Sequence, residues 1–141
     1  MSKVSEHRIL RGGPLAQRIF DTVRAEALAS AERGWPPKLV SITVGDTGAV
    51  DVYVRNQRRK AEACGIAFEE RRWPADVTAA ELEAAIRVMN ADPRVTGIII
   101  QRPLPAHVPI KALQRAVHPL KDVEGMHPSS IGNIVYDELD L

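Results

Sequence analysis

Cysteine is nearly absent: Cys64 stands alone, which excludes an internal disulfide and fits a reducing compartment. Aromatic residues make up only 4% of the 141, too few for the stacking platforms that single-strand nucleic-acid binders use. No long apolar run exists; the strongest, Gly97 to Ile100, falls far short of the ~20 residues that span a bilayer. The opening MSKVSEHRIL lacks the apolar core of a signal peptide. Charge of one sign is not in excess either, since 19 Lys+Arg against 18 Asp+Glu leaves +1, no field to draw in a polyanion. Two motifs are missing as well. His7, His107, His118 and His127 show no metal-ligand spacing. No Gly-x-Gly-x-x-Gly follows a strand, so no cofactor-binding fingerprint is present. The expectation is a cytoplasmic domain without metal, membrane or nucleic-acid partner.

What is present is an alternation of periods. Pro14 suits the first turn of a helix, and Leu15, Ile19 and Val23 recur at fourfold spacing up to the Gly34-Trp35-Pro36-Pro37 stop, giving helix over 14–33. Gly12-Gly13 ahead of it reads as turn punctuation rather than an anion site. KLVSITVGD (38–46) is β-rich and reads as a buried strand. DVYVRNQRRKAEACG (51–65) reads as a helix, and IAFEERRW (66–73) as a more exposed strand. Thr78 and Glu81 have capping-box spacing, and Leu82, Ala85, Ile86 and Met89 form one stripe, so 78–91 is a helix. VTGIIIQ (95–101) reads as a strand covered on both faces. A proline-rich turn (103–109), a short helix near 110–117 and a loop from Pro119 to Ser130 follow. Strands alternating with helices predict an α/β fold, a parallel sheet of βαβ units flanked by helices, with 1–141 as one domain.

In such sheets ligands gather beyond the carboxyl ends of the strands. Three segments converge there: Gly45-Asp46 with the helix bearing Tyr53, then Gln101-Arg102-Pro103-Leu104-Pro105, then KDVEGMHP (121–128). Helical spacing puts Tyr53 and Gln57 on one face with Lys60 close by. Arg55, Arg58 and Arg59 point mainly elsewhere and read as a solvated flank paired with Glu62 or other surface acids. Cys64 reads as a small buried side chain, His127 as loop packing, and Asp122 as a carboxylate that organises its loop.

YVRNQRRKAEACGI, GIIIQRPLP and KDVEGMHP, in this order and at these spacings, resemble the methylenetetrahydrofolate dehydrogenase/methenyltetrahydrofolate cyclohydrolase (FolD) family. So does RILRGGPLAQRI with its following Val-Gly-Asp strand. The resemblance covers nearly the whole chain, but only the catalytic, folate-binding domain of that family and not its Rossmann domain. It implies a tetrahydrofolate derivative as substrate and NADP or NAD as hydride acceptor, bound by a domain outside these residues. It also implies a homodimer or pairing with a nucleotide-binding domain. Tyr53 matches the tyrosine packing beside the pterin, and Gln101 the glutamine that holds a catalytic lysine. Pro103 belongs to the same substrate-binding motif. Glu124 falls at the carboxylate that recognises the amino-pyrimidine edge.

Several positions depart from the family pattern. Gln57 occupies the lysine position, and an amide neither carries charge nor relays a proton at ordinary pH. Loss of general acid–base help worth ~10²–10⁴-fold should weaken hydrolysis, whereas hydride transfer depends chiefly on orientation. Lys60, three residues on, is a candidate to reach back as substitute. Arg102 replaces a leucine, Gly13 a lysine, Val50 a serine and Ser130 an asparagine. The expected function is a dehydrogenase with a weakened cyclohydrolase step, its catalytic positions Tyr53, Gln57 and Gln101. The alternatives are a non-catalytic folate-binding subunit, or an inactive paralogue acting through macromolecular contacts.

Overall fold

The computed structural model describes residues 11–46 and 48–138, without the side chain of Ala49. His7, the segment before Arg11 and the last three residues, all used above, lie outside the described residues. Three strands form one parallel sheet in the order β2-β1-β3: β1 Lys38–Val44, β2 Ala67–Trp73 and β3 Gly97–Ile100. In register, Leu39 of β1 lies between Phe68 and Gly97, and Ile42 between Arg71 and Ile100.

Because successive side chains of a strand face opposite ways, β1 feeds two cores. Val40, Ile42 and Val44 join Ile98 and Ile100 on one face. There they meet Leu82, Ile86 and Met89 of α3 (Ala79–Ala91) and Leu113 of α4 (Ile110–Ala116). Leu39 faces the other way, against Phe68 and the Val50, Val54 and Ala61 row of α2 (Gly48–Ala63). Ser41 and Thr43 share Leu39's face by the same alternation and are as deeply buried as the aliphatic residues. The helix α1 (Gly13–Glu32) lies outside these cores. Of its residues only Ala27 is buried, while Leu15, Ile19 and Leu28 stay exposed.

Local signals explain most boundaries. The Thr78 hydroxyl accepts from the Glu81 N–H (3.2 Å), and the Glu81 carboxylate accepts from the Thr78 N–H (2.9 Å), so the capping box starts α3 as expected. Gly34 and Gly65, with φ of 86° and 79°, end α1 and α2 in the left-handed region. The edge strand β2 carries Glu69, Glu70, Arg71 and Arg72. Arg72 is tied to Asp51, to Glu70 (2.8 Å) and to the Gly45 carbonyl (3.1 Å), a charged rim that discourages pairing with another sheet edge.

One segment differs from its sequence reading. Residues 119–130, expected as loop, contain a 3-10 turn at Pro119–Lys121 and the start of α5, Pro128–Tyr136. The start of α5 is concealed because its cap is an imidazole: His127 Nδ1 accepts from the Ser129 N–H (3.0 Å) where Ser, Thr, Asp or Asn is the usual signal. The helix stops at Asp137, which adopts φ 57°. Among the described residues no helix is long and apolar enough to cross a membrane.

Candidate functional site

Beyond the carboxyl ends of β1 and β3 lies a cavity of about 380 Å³ lined by Val50, Tyr53, Ile100, Gln101, Arg102, Pro103 and Glu124. Gln101 is its most constrained polar member. Its N–H donates to the Ile42 carbonyl (2.9 Å), continuing the β1–β3 ladder one residue past the strand. Its amide nitrogen Nε2 uses both hydrogens: one on Ser41 Oγ (2.9 Å), the other on Gln57 Oε1 (2.7 Å). With Gln101 only 6% exposed, two hydrogen bonds hold the carboxamide in one orientation. The chain then turns through the cis Arg102–Pro103 bond.

The second wall is the 121–125 loop, and each residue of it has a definable task. Lys121 Nζ donates to the Met89 (2.8 Å) and Asp92 (2.7 Å) carbonyls, closing the carboxyl end of α3. The Asp122 carboxylate accepts from the His127 N–H (2.7 Å) and the Ser130 hydroxyl (2.9 Å), which ties the amino end of α5 to the loop. Burial is the strongest single influence on Asp122 and pushes its pKa up. The bonds from His127, Ser130 and the Met126 and Glu124 N–H groups together outweigh it and hold the group below the usual carboxylate range. Asp122 also bridges in parallel to Ile98 of β3. Gly97 permits that approach, since a β-carbon there would sit 2.6 Å from Val123 Cγ1. Gly125 makes the turn with φ 66°. The outcome is that Glu124, exposed and anchored on both sides, faces the cavity.

The third wall is α2. Tyr53 presents a 62% exposed ring to the cavity. Gln57, one turn on, is half-buried and does not line the cavity; it meets the site through Gln101. Lys60 goes elsewhere. It lines a separate hollow with Gly13, Ala16, Phe20 and Cys64 between α1 and α2, so the idea that it reaches back for Gln57 is corrected. The physical reason is that Lys60 lies a turn further along α2 and to one side of Gln57, where its stem packs beside α1 rather than toward Gln101. The arginine flank is also less uniform than expected. Arg58 lies 5.0 Å over the Phe68 ring, donates to the Phe68 carbonyl and pairs with Glu70 at 3.8 Å. Cys64 is buried, and His127 serves as the cap of α5.

The structure therefore gathers Tyr53, Gln101, Pro103 and Glu124 around one cavity, with Gln57 behind Gln101. Sequence reasoning missed Ser41. Its only signal was a hydroxyl at an inward-facing position of a buried strand, where an apolar residue is the rule. The amino end of α2 does not suit a dinucleotide phosphate. It follows β1 and carries Asp46 and Asp51 around Arg72, presenting carboxylates where a pyrophosphate would need free N–H groups.

A parallel α/β domain with a semi-apolar cavity at the strand ends, a fixed amide on its floor and an anchored carboxylate on its wall belongs to the small-molecule-binding class. Its particular kind follows from comparison. The family described as "Tetrahydrofolate dehydrogenase/cyclohydrolase, catalytic domain" matches residues 10–124, and the chain belongs to that family. The bifunctional protein FolD 2 of Mesorhizobium japonicum is 69% identical over 141 residues, all of this chain and 46% of that protein. The 5,10-methylenetetrahydrofolate dehydrogenase of the silkworm Bombyx mori superposes with a TM-score of 0.86 at 32% identity, covering 92% of this chain and 45% of its own. The Trypanosoma brucei methylenetetrahydrofolate dehydrogenase-cyclohydrolase, solved with NADP and an inhibitor, gives 0.83 at 28% identity, with 94% and 45% covered. The chain spans about half the length of the curated relatives it matches.

Proposed function

We propose that this chain is the folate-binding catalytic domain of a 5,10-methylenetetrahydrofolate dehydrogenase of one-carbon metabolism whose cyclohydrolase step is weak. It would act in the cytoplasm with NADP or NAD. In this reading Tyr53 packs its ring beside the pterin, Pro103 and Val50 complete the apolar wall, and Glu124 accepts the N–H donors of the amino-pyrimidine edge in a paired, charge-assisted contact. Gln101, held by Gln57 and Ser41, presents its amide to the bridging carbon from the cavity floor. The nucleotide would be held outside this cavity.

The observation that carries the proposal is the 2.7 Å contact between Gln101 Nε2 and Gln57 Oε1. Two neutral amides can position a water or a substrate, but neither can take up and return a proton. Lysine at position 57 would instead donate to Gln101 Oε1 once that amide turned over. Ser41 tolerates either orientation because a hydroxyl both donates and accepts. The test uses the full-length protein, following methylene oxidation and methenyl hydrolysis separately. The expected result is dehydrogenase turnover with slow hydrolysis, and faster hydrolysis in Gln57→Lys by a factor in the range ~10²–10⁴. Hydrolysis in the unaltered protein as fast as in Gln57→Lys would refute it.

A further inference from the structure

The cavity carries one cation, Arg102, and one anion, Glu124, and neither side chain has a hydrogen-bond or ion-pair partner among the described residues. Arg58, Arg71, Arg72, Arg87 and Arg94 each pair with a carboxylate, and what distinguishes Arg102 from other arginines without one, such as Arg55 and Arg59, is its place on the cavity that Tyr53, Gln101 and Glu124 also line. Glu124 and Arg102 line the same hollow without meeting each other, so the cavity is dipolar. It complements a ligand with N–H donors at one end and an anion at the other.

Burial tells which end is which. Gln101 and Arg102 follow the end of β3, where the chain bends into the cis Arg102–Pro103 bond, and the two side chains differ sharply in burial. Gln101 turns in and is buried at the floor, whereas Arg102 turns out and is exposed at the mouth. An anion met by Arg102 is therefore on the part of the ligand that emerges from the cavity. The guanidinium's planar fork suits a carboxylate, which it engages through two parallel N–H donors.

We propose that Arg102 is a specificity residue of this site that binds a glutamate carboxylate on the tail of a reduced folate, and so selects glutamyl-conjugated pterins over the same pterin without the amino acid. The inference rests on the folate reading and deepens it. The cation sits at the tail, where an anion emerges, rather than at the floor, where it would repel a positively charged methenyl group.

The experiment measures affinities of the full-length protein by calorimetry for tetrahydrofolate and for tetrahydropteroate, which lacks the glutamate. The unaltered protein should bind tetrahydrofolate roughly tenfold more tightly, as expected for a charge-assisted contact open to solvent on one side. That preference should shrink as salt rises. Arg102→Leu should bind the two ligands within about twofold of each other, with its affinity for tetrahydropteroate kept, and Arg102→Lys should fall between. Equal affinities in the unaltered protein, or a preference that survives Arg102→Leu, would overturn the assignment while leaving folate binding intact. If neither ligand binds the unaltered protein, the folate reading fails and this inference fails with it.

Discussion

Two buried hydroxyls on the same face of β1 should respond to removal with opposite signs. Ser41 and Thr43 are 0% and 1% exposed. Ser41 Oγ accepts from Gln101 Nε2, whereas Thr43 Oγ1 has no hydrogen-bond partner among the described residues. A buried polar group left unsatisfied costs about 1–3 kcal/mol, and the methyl that Thr43→Val introduces in its place contributes up to ~0.8 kcal/mol on burial. Valine also suits a strand, so Thr43→Val should stabilise by about 1–2 kcal/mol. Ser41→Ala works the other way. It strands one hydrogen of the Gln101 amide in a nearly dry setting and should destabilise by about 1–2 kcal/mol. For a domain of this length each kcal/mol moves the melting temperature by about 3 °C, so the variants should separate by several degrees. Urea titration followed by far-ultraviolet circular dichroism measures both, with an unchanged m-value as the check that only stability has moved. A destabilised Thr43→Val would refute the unsatisfied state of its hydroxyl, and a Ser41→Ala indistinguishable from the unaltered protein would refute the hydrogen bond behind the Gln101 orientation.

Gly97→Ala should destabilise by about 1–3 kcal/mol, because the new methyl would lie 2.6 Å from Val123 Cγ1 and 3.1 Å from Leu39 Cδ1. It should also weaken ligand binding by shifting the loop that carries Glu124, and a second change, Val123→Ala, should restore much of both; thermal melts and calorimetry check this. Asp122 gives a pH-dependent expectation. Its folded pKa is lowered, so its contribution is present above the ordinary carboxylate range and is lost as pH falls through the folded value. The stability gap between the unaltered protein and Asp122→Asn should therefore hold steady near neutrality and close in acid, read from urea midpoints across that range; a gap independent of pH would contradict the bonds drawn to His127 and Ser130.

The residue pattern alone was enough for the alternating elements, the capping box at Thr78 and Glu81, the buried stripe of α3 and the inward Cys64. Each of these depends on neighbours within one or two turns, where period and local hydrogen bonding decide. It also carried the ordered motifs around Tyr53, Gln101 and Glu124, and hence the family. Contacts between distant segments were decided only when the chain closed. Lys60 turned to α1 and Arg58 onto Phe68 because helix rotation is set by packing, which spacing constrains only to within a face. The helix α5 escaped notice since its cap is a histidine held by Asp122, itself fixed by a strand some 24 positions earlier in the chain. The pairing of Ser41, Gln101 and Gln57 joins three elements separated by up to 60 residues. Periodicity can say that such groups face inward, but which one each will meet is settled by the sheet order that brings β1 beside β3.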